Sequence, residues 1–170
     1  MNLLDLIQNR YSVRNYLSKE VEDEKIHYIL ECARLAPSAV NYQPWYFYIV
    51  RDEDVKEKVQ KSYERAWFKE ASLYIVVCKD SQQSWKRKDG KDFGDVDAAI
   101  VAEHICLATA EIGLGTCWVC NFDLSVLTEA LDIPQEQEAI AIFSIGYIDE
   151  QKSQIPEKKR KSLDEITKWI

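Results

Sequence analysis

Arg10-Tyr11-Ser12-Val13-Arg14 and Ala36-Pro37-Ser38-Ala39-Val40-Asn41-Tyr42-Gln43-Pro44-Trp45 are the two stretches on which the reading of this chain turns. In an extended backbone, residues two apart point the same way, so Arg10, Ser12 and Arg14 share one face. Two guanidinium forks around a hydroxyl make a compact cradle for a dianionic phosphate, since arginine binds phosphate through paired, charge-assisted hydrogen bonds. The chain carries a net charge of −7, so a basic cluster here runs against the overall balance and suggests one specific anion. The alternative is a solvated strand or loop face that happens to be basic. In the second stretch Pro37 and Pro44 stiffen the backbone and remove amide donors at set points. Ser38, Asn41 and Gln43 offer short neutral donors and acceptors between them, which suits a heterocycle rich in carbonyl and ring-nitrogen groups. An ordinary helix-to-strand turn would use the same residue types.

Working outward, 170 residues suffice for one domain with a real core and are too few for two comfortable ones. A 46% hydrophobic and 30% charged composition is ordinary for a soluble globular protein. The acidic balance argues against general nucleic-acid or anionic-membrane binding, and the basic run at 158–161 is too short to overturn it. Residues 1–5 have no basic n-region or long apolar stretch, so no secretory signal is expected. Five scattered cysteines, Cys32, Cys78, Cys106, Cys117 and Cys120, fit a reduced, cytoplasmic protein.

Hydrophobic spacing predicts a helix over 2–9 with Leu3, Leu4, Leu6 and Ile7 on the buried side. A second runs from 22 to 35, ended by Pro37, and a charged surface helix spans 52–63. Strands are expected at 46–50, 73–78, 116–120 and 139–147. Residues 79–94 read as a mobile polar loop, with Trp85 and Phe93 unexpected in it. The 96–112 helix is apolar nearly all round and therefore buried in the core or between subunits. Asp97, Glu103, His104 and Glu111 within it argue against a membrane span. Asp123 caps a short helix over 124–131. Helices alternating with four strands predict an α/β or α+β layer fold.

Cys117-Trp118-Val119-Cys120 matches Cys-x-x-Cys, but in a strand its two thiols face opposite sides, and no second pair or histidine spacing completes a zinc site. No metal is expected. His27 and His104 are isolated on helices: His104 reads as a core or interface histidine, and His27, on a charged face, as chance placement.

The two opening segments, followed by Gly113-Leu114-Gly115-Thr116-Cys117-Trp118 and the basic run Lys158-Lys159-Arg160-Lys161, resemble in kind and order the motifs of the nitroreductase family of FMN-dependent oxidoreductases. The resemblance spans nearly the whole chain. It implies a mixed, mainly antiparallel sheet flanked by helices, in an intertwined homodimer with FMN at the interface. It places Arg10, Tyr11, Ser12 and Arg14 at the phosphate and ribityl end, with Arg160 or Lys161 adding charge from the tail. Pro37, Ser38, Ala39, Asn41 and Gln43 would approach the ring from the other subunit, and the Thr116, Cys117 and Trp118 backbone would lie near its reactive nitrogen edge. The implied chemistry is ping-pong: NADH or NADPH gives a hydride to the flavin, and a nitroaromatic, quinone or similar acceptor takes the electrons, with no side-chain nucleophile. Dehalogenation, flavin breakdown or simple FMN storage are the alternatives. Two departures stand out. The chain is shorter than many members, and residues 63–70 do not clearly reproduce polar contacts near the pyrimidine end, where Arg65, Lys69 or Trp67 would have to serve.

Overall fold

The computed structural model describes residues 2–170; Met1 lies outside them. Four strands, β1 (Trp45–Val50), β2 (Leu73–Asp80), β3 (Gly115–Val119) and β4 (Gln137–Gly146), form one sheet in the order β1-β2-β4-β3. All three neighbouring pairs are antiparallel, in keeping with the mainly antiparallel sheet that the resemblance implied. The parallel component is a single bridge between Ser12 and Thr116.

β2 runs unbroken in apolar residues because both its faces are covered. Leu73, Ile75 and Val77 enter one core cluster, while Tyr74, Val76 and Cys78 enter the other. The first cluster is closed by α2 (Asp23–Arg34) and α5 (Gly94–Glu111), the second by α3 (Glu53–Gln60), α4 (Ala66–Lys69) and α6 (Leu124–Leu131). The β2–β4 register shifts between Val77 and Cys78, a bulge that lets Ala139 and Ile142 face the same cluster although three residues apart.

Most expected elements form within one to three residues of their predicted bounds. The 52–63 helix is shorter, with Asp52 as its cap accepting from the Val55 amide, and the chain then turns into α4, a one-turn helix that spacing did not reveal. The 79–94 segment is more ordered than a mobile loop: β2 takes its first two residues, and Lys86 bridges Asp92 across a turn that uses Gly90 at φ 87°. Trp85 packs edge-on against Phe93 at 5.2 Å, which accounts for both aromatics.

The largest departure is α1 (Leu3–Asn9). Asn2 and Asp5 form a reciprocal capping box, yet only Leu6 is buried, and Leu3, Leu4 and Ile7 are exposed. The apolar side is present as the spacing predicts, but nothing among the described residues covers it. The same holds for the tail, where Leu163, Ile166, Trp169 and Ile170 around α7 (Leu163–Ile166) are exposed. Among the described residues no helix is long and apolar enough to cross a membrane.

Candidate functional site

α1 ends at Arg10, whose backbone leaves the helix at ψ 132°, and the next residues are extended. Val13 N donates to Thr116 O at 3.0 Å and Tyr16 bridges Ile148, so the segment lies along the edge of β3. Val13 and Tyr16 are buried, and the Tyr16 hydroxyl lies 2.9 Å from both Val13 O and Ser144 Oγ. Val13 is turned inward, and alternation along an extended backbone would set Arg10, Ser12 and Arg14 on the other side. Gly115 permits this approach: a Cβ there would stand 2.8 Å from Val13 Cγ1 and 2.9 Å from Ile148 Cγ1. Gly113, at φ 76°, ends α5 one turn earlier.

Cys117 lies beneath the three polar side chains. Burial pushes its thiol above the usual range, while the Arg14 charge, a hydrogen bond with Ser12 and the Arg10 charge pull the other way. Arg14 also covers the Trp67 ring at 5.5 Å. Trp67 itself packs edge-on against Tyr63 and Phe68 in the second core cluster, and Lys69 lines a different cavity. Of the two, only Trp67 meets one of the three polar residues, through Arg14.

Arg10 joins Lys158 and Arg160 around a cavity of about 570 Å³, lined also by Ile7, Gln8, Glu103 and Pro156. Lys158 Nζ donates to Ile7 O at 2.8 Å, at the carbonyl end of α1. Desolvation, then the Arg10 and Arg160 charges, hold the Lys158 ammonium below its usual range. Among the described residues, none of Arg10, Arg14, Lys158 and Arg160 takes part in a salt bridge. Three cations gathered around one cavity beside the single carboxylate of Glu103 leave an excess of positive charge, which a bound dianion would neutralise. Lys158, which the sequence left among four basic candidates, lines this cavity; Lys161 does not.

The Pro37–Pro44 stretch is a turn of unusual shape. Ala39–Asn41 makes one 3-10 turn, and Val40 (φ 55°), Asn41 (φ 58°) and Gln43 (φ 52°) are all left-handed. For residues with a Cβ this costs about 1–2 kcal/mol each, and a β-branched valine is the least suited to it. Ser38 Oγ accepts from Gln43 N at 2.9 Å, Asn41 N donates to Ser38 O at 3.0 Å, and Tyr42 N donates to Ala39 O at 3.2 Å. Asp97 Oδ1 accepts from Ala39 N at 2.9 Å. The outcome is a rigid projection with Val40 and Tyr42 exposed. None of residues 37–43 lines the cationic cavity of the same chain.

In β3, Thr116 is buried with its Oγ1 unpartnered, Cys117 is buried, and Trp118 tilts against Phe143 at 5.4 Å. Trp118 Nε1 donates to Sγ of the exposed Cys120, so the two cysteines do face opposite ways. His104 Nδ1 lies 2.9 Å from Cys32 O, tying α5 to α2. Sequence reasoning missed two things: the left-handed turn, and Asp97 as its anchor. A carboxylate next to the apolar run that begins at Ala98 was the available signal, because such a charge goes under only with a partner.

The molecule so defined is an α+β protein that lays an N-terminal strand of arginines along a sheet edge, with a strained turn displayed from the start of a central helix. Its sequence matches the Nitroreductase family over residues 7–71 and 58–147. A protein of Archaeoglobus fulgidus, provisionally named an NADH dehydrogenase/NAD(P)H nitroreductase, is 34% identical over 98% of both chains. A nitroreductase family protein of Clostridium difficile superposes with a TM-score of 0.91 at 35% identity, covering 99% of this chain and 98% of that one. A second structure from that organism, an FMN-dependent nitroreductase, gives a TM-score of 0.75 at 32% identity, covering 96% and 94%. Among more distant relatives is an iodotyrosine deiodinase of Thermotoga neapolitana, 27% identical over 91% of this chain and 92% of its own. The chain belongs to the nitroreductase family and is an oxidoreductase of that family.

Proposed function

We propose that the whole chain is a single FMN-binding domain that works as an NAD(P)H-dependent oxidoreductase on nitroaromatics, quinones or similarly electron-poor acceptors. The observation that carries this is the set of cations Arg10, Lys158 and Arg160 that line one cavity and, among the described residues, form no salt bridge. The name of the FMN-dependent relative supports the choice of flavin. When bound, FMN would supply the redox chemistry, taking a hydride from a nicotinamide and returning electrons to the acceptor.

The chain's own groups bind and align. Arg10, Ser12 and Arg14, in the segment that includes Tyr11, neutralise and orient the phosphate and ribityl end, with Lys158 and Arg160 closing the far side. Backbone groups of Thr116, Cys117 and Trp118 face the reactive edge, where fixed donors stabilise negative charge. Pro37, Ser38, Ala39, Asn41 and Gln43 serve a second copy's cavity, since in their own chain they stand apart from it. The uncovered apolar residues of α1 and of the tail support an intertwined homodimer: Leu3, Leu4, Ile7, Leu163, Ile166 and Trp169 need a partner surface. The cytoplasmic location expected from the scattered cysteines belongs to the same proposal.

The test is an anaerobic titration of FMN-supplemented, desalted protein with NADH and then NADPH, following the visible flavin band. A retained band that bleaches within seconds is expected, in a particle of twice the chain mass by light scattering. A band that is retained but does not bleach would leave an FMN-binding module. No retained band would sink the flavin reading. The deiodinase relative makes halogenated phenols the first alternative acceptors to screen.

A further inference from the structure

Asp97 is the buried charge that cofactor binding leaves without a role. It lies in the first turn of α5, 2% exposed, among inward-facing Ala98, Val101 and Ala102. It takes part in no salt bridge among the described residues, and its Oδ2 has no partner. Its Oδ1 accepts from the Ala39 amide at 2.9 Å. A carboxylate under the surface with no cation to answer needs another reason to be there.

The hydrogen bonds of the turn supply it. Ser38 Oγ with Gln43 N, Asn41 N with Ser38 O, Tyr42 N with Ala39 O, and the Gln43 side chain with Asn41 all run within the turn and would move with it. Over residues 38–43, Asp97 is the hydrogen-bond partner, among the described residues, that belongs to a distant part of the fold. It grips the residue immediately before Val40, where the backbone enters its left-handed region.

We propose that Asp97 is the positioning residue of the flavin site, fixing the Ser38–Gln43 turn to α5 so that its left-handed shape is held ready before any cofactor arrives. The proposal rests on the flavin reading above, and deepens it by naming the group outside the turn that sets the turn's position.

The experiment compares wild type, Asp97→Ala, Asp97→Asn and the double variant Asp97→Ala with Val40→Gly. Thermal unfolding and amide exchange are read on the cofactor-free protein, and FMN affinity and the midpoint potential of the bound flavin on the loaded one. Asp97→Ala should speed exchange at Ala39–Gln43 while leaving β2 and β4 protected, weaken FMN about tenfold, and shift the potential. Asp97→Asn keeps an oxygen for Ala39 and should stay within about threefold of wild type. Glycine at Val40 removes the steric cost of the left-handed backbone, so the double variant should regain part of the lost affinity. If Asp97→Ala does not fold, Asp97→Ser, too short to reach Ala39, carries the same expectation.

A wild type that binds FMN, beside an Asp97→Ala variant with equal affinity and potential, would overturn the positioning role alone. Asp97→Asn as impaired as Asp97→Ala would do the same. A wild type that retains no FMN would overturn the flavin reading and this inference with it.

Discussion

The Arg10–Arg14 segment pairs an ordinary extended backbone with an extraordinary charge, whereas the Ser38–Gln43 turn pairs an extraordinary backbone with no charge at all. The first is held by ladder-type bonds to Thr116 and Ile148, and its side chains face outward by simple alternation. The second is held by its own short side chains and one buried carboxylate, and spends conformational energy to stay in shape. Electrostatic binding needs only that cations arrive together, so regular structure serves. Shape recognition of a neutral ring needs atoms fixed against entropy, so the backbone is forced into a form its residues disfavour.

That contrast can be broken most directly with two probes that differ by a phosphate. Arg10→Ala combined with Arg14→Ala should weaken FMN by about a hundredfold or more, from two lost charge-assisted contacts, while leaving riboflavin affinity nearly unchanged. Equal losses for both ligands would show that the arginines act through the fold. Next in size is Gly115→Ala, whose methyl would collide with Val13 and Ile148. It should cost about 1–3 kcal/mol in urea unfolding and weaken FMN by displacing the arginine strand. A variant as stable as wild type would mean the strand is not pinned there. Ser38→Ala, which removes the acceptor for Gln43 N, should cost about 1 kcal/mol and lower affinity for FMN and riboflavin alike, each severalfold. A loss confined to FMN would contradict the division of labour.

The smallest effect is a pH dependence. Lys158 is held below the ordinary lysine range by burial and by Arg10 and Arg160, and a bound dianion would raise it again. FMN affinity should therefore be full below the depressed value and fall as pH rises through it, earlier than an ordinary lysine would titrate. Lys158→Arg should flatten that decline in fluorescence titrations between pH 7 and 10. An identical profile in both proteins would take Lys158 out of the binding set.

Much of this was legible before any coordinates. The arginine face follows from a period of two, and β2 from an unbroken apolar run long enough only for a strand. α1 shows where legibility stops: its apolar spacing was read correctly, but whether Leu3 and Leu4 are buried depends on a surface the sequence of one chain does not describe. The turn was hidden for the opposite reason. Nothing in Ala39-Val40-Asn41 announces a left-handed valine, because local preference there is overruled by Asp97, which lies 58 residues away. The short α4 went unread because a single helical turn has no period to detect.

The pairing of Ser12 with Thr116 and of Tyr16 with Ile148 also sets an order of events during synthesis. The arginines precede the whole sheet in chain order, yet the sheet edge that orders them comes from β3, and the bond that anchors Tyr16 from beyond β4. Contacts of such long sequence separation form late. The nascent chain therefore carries Arg10 and Arg14 unassembled until β3, β4 and Ile148 have been made.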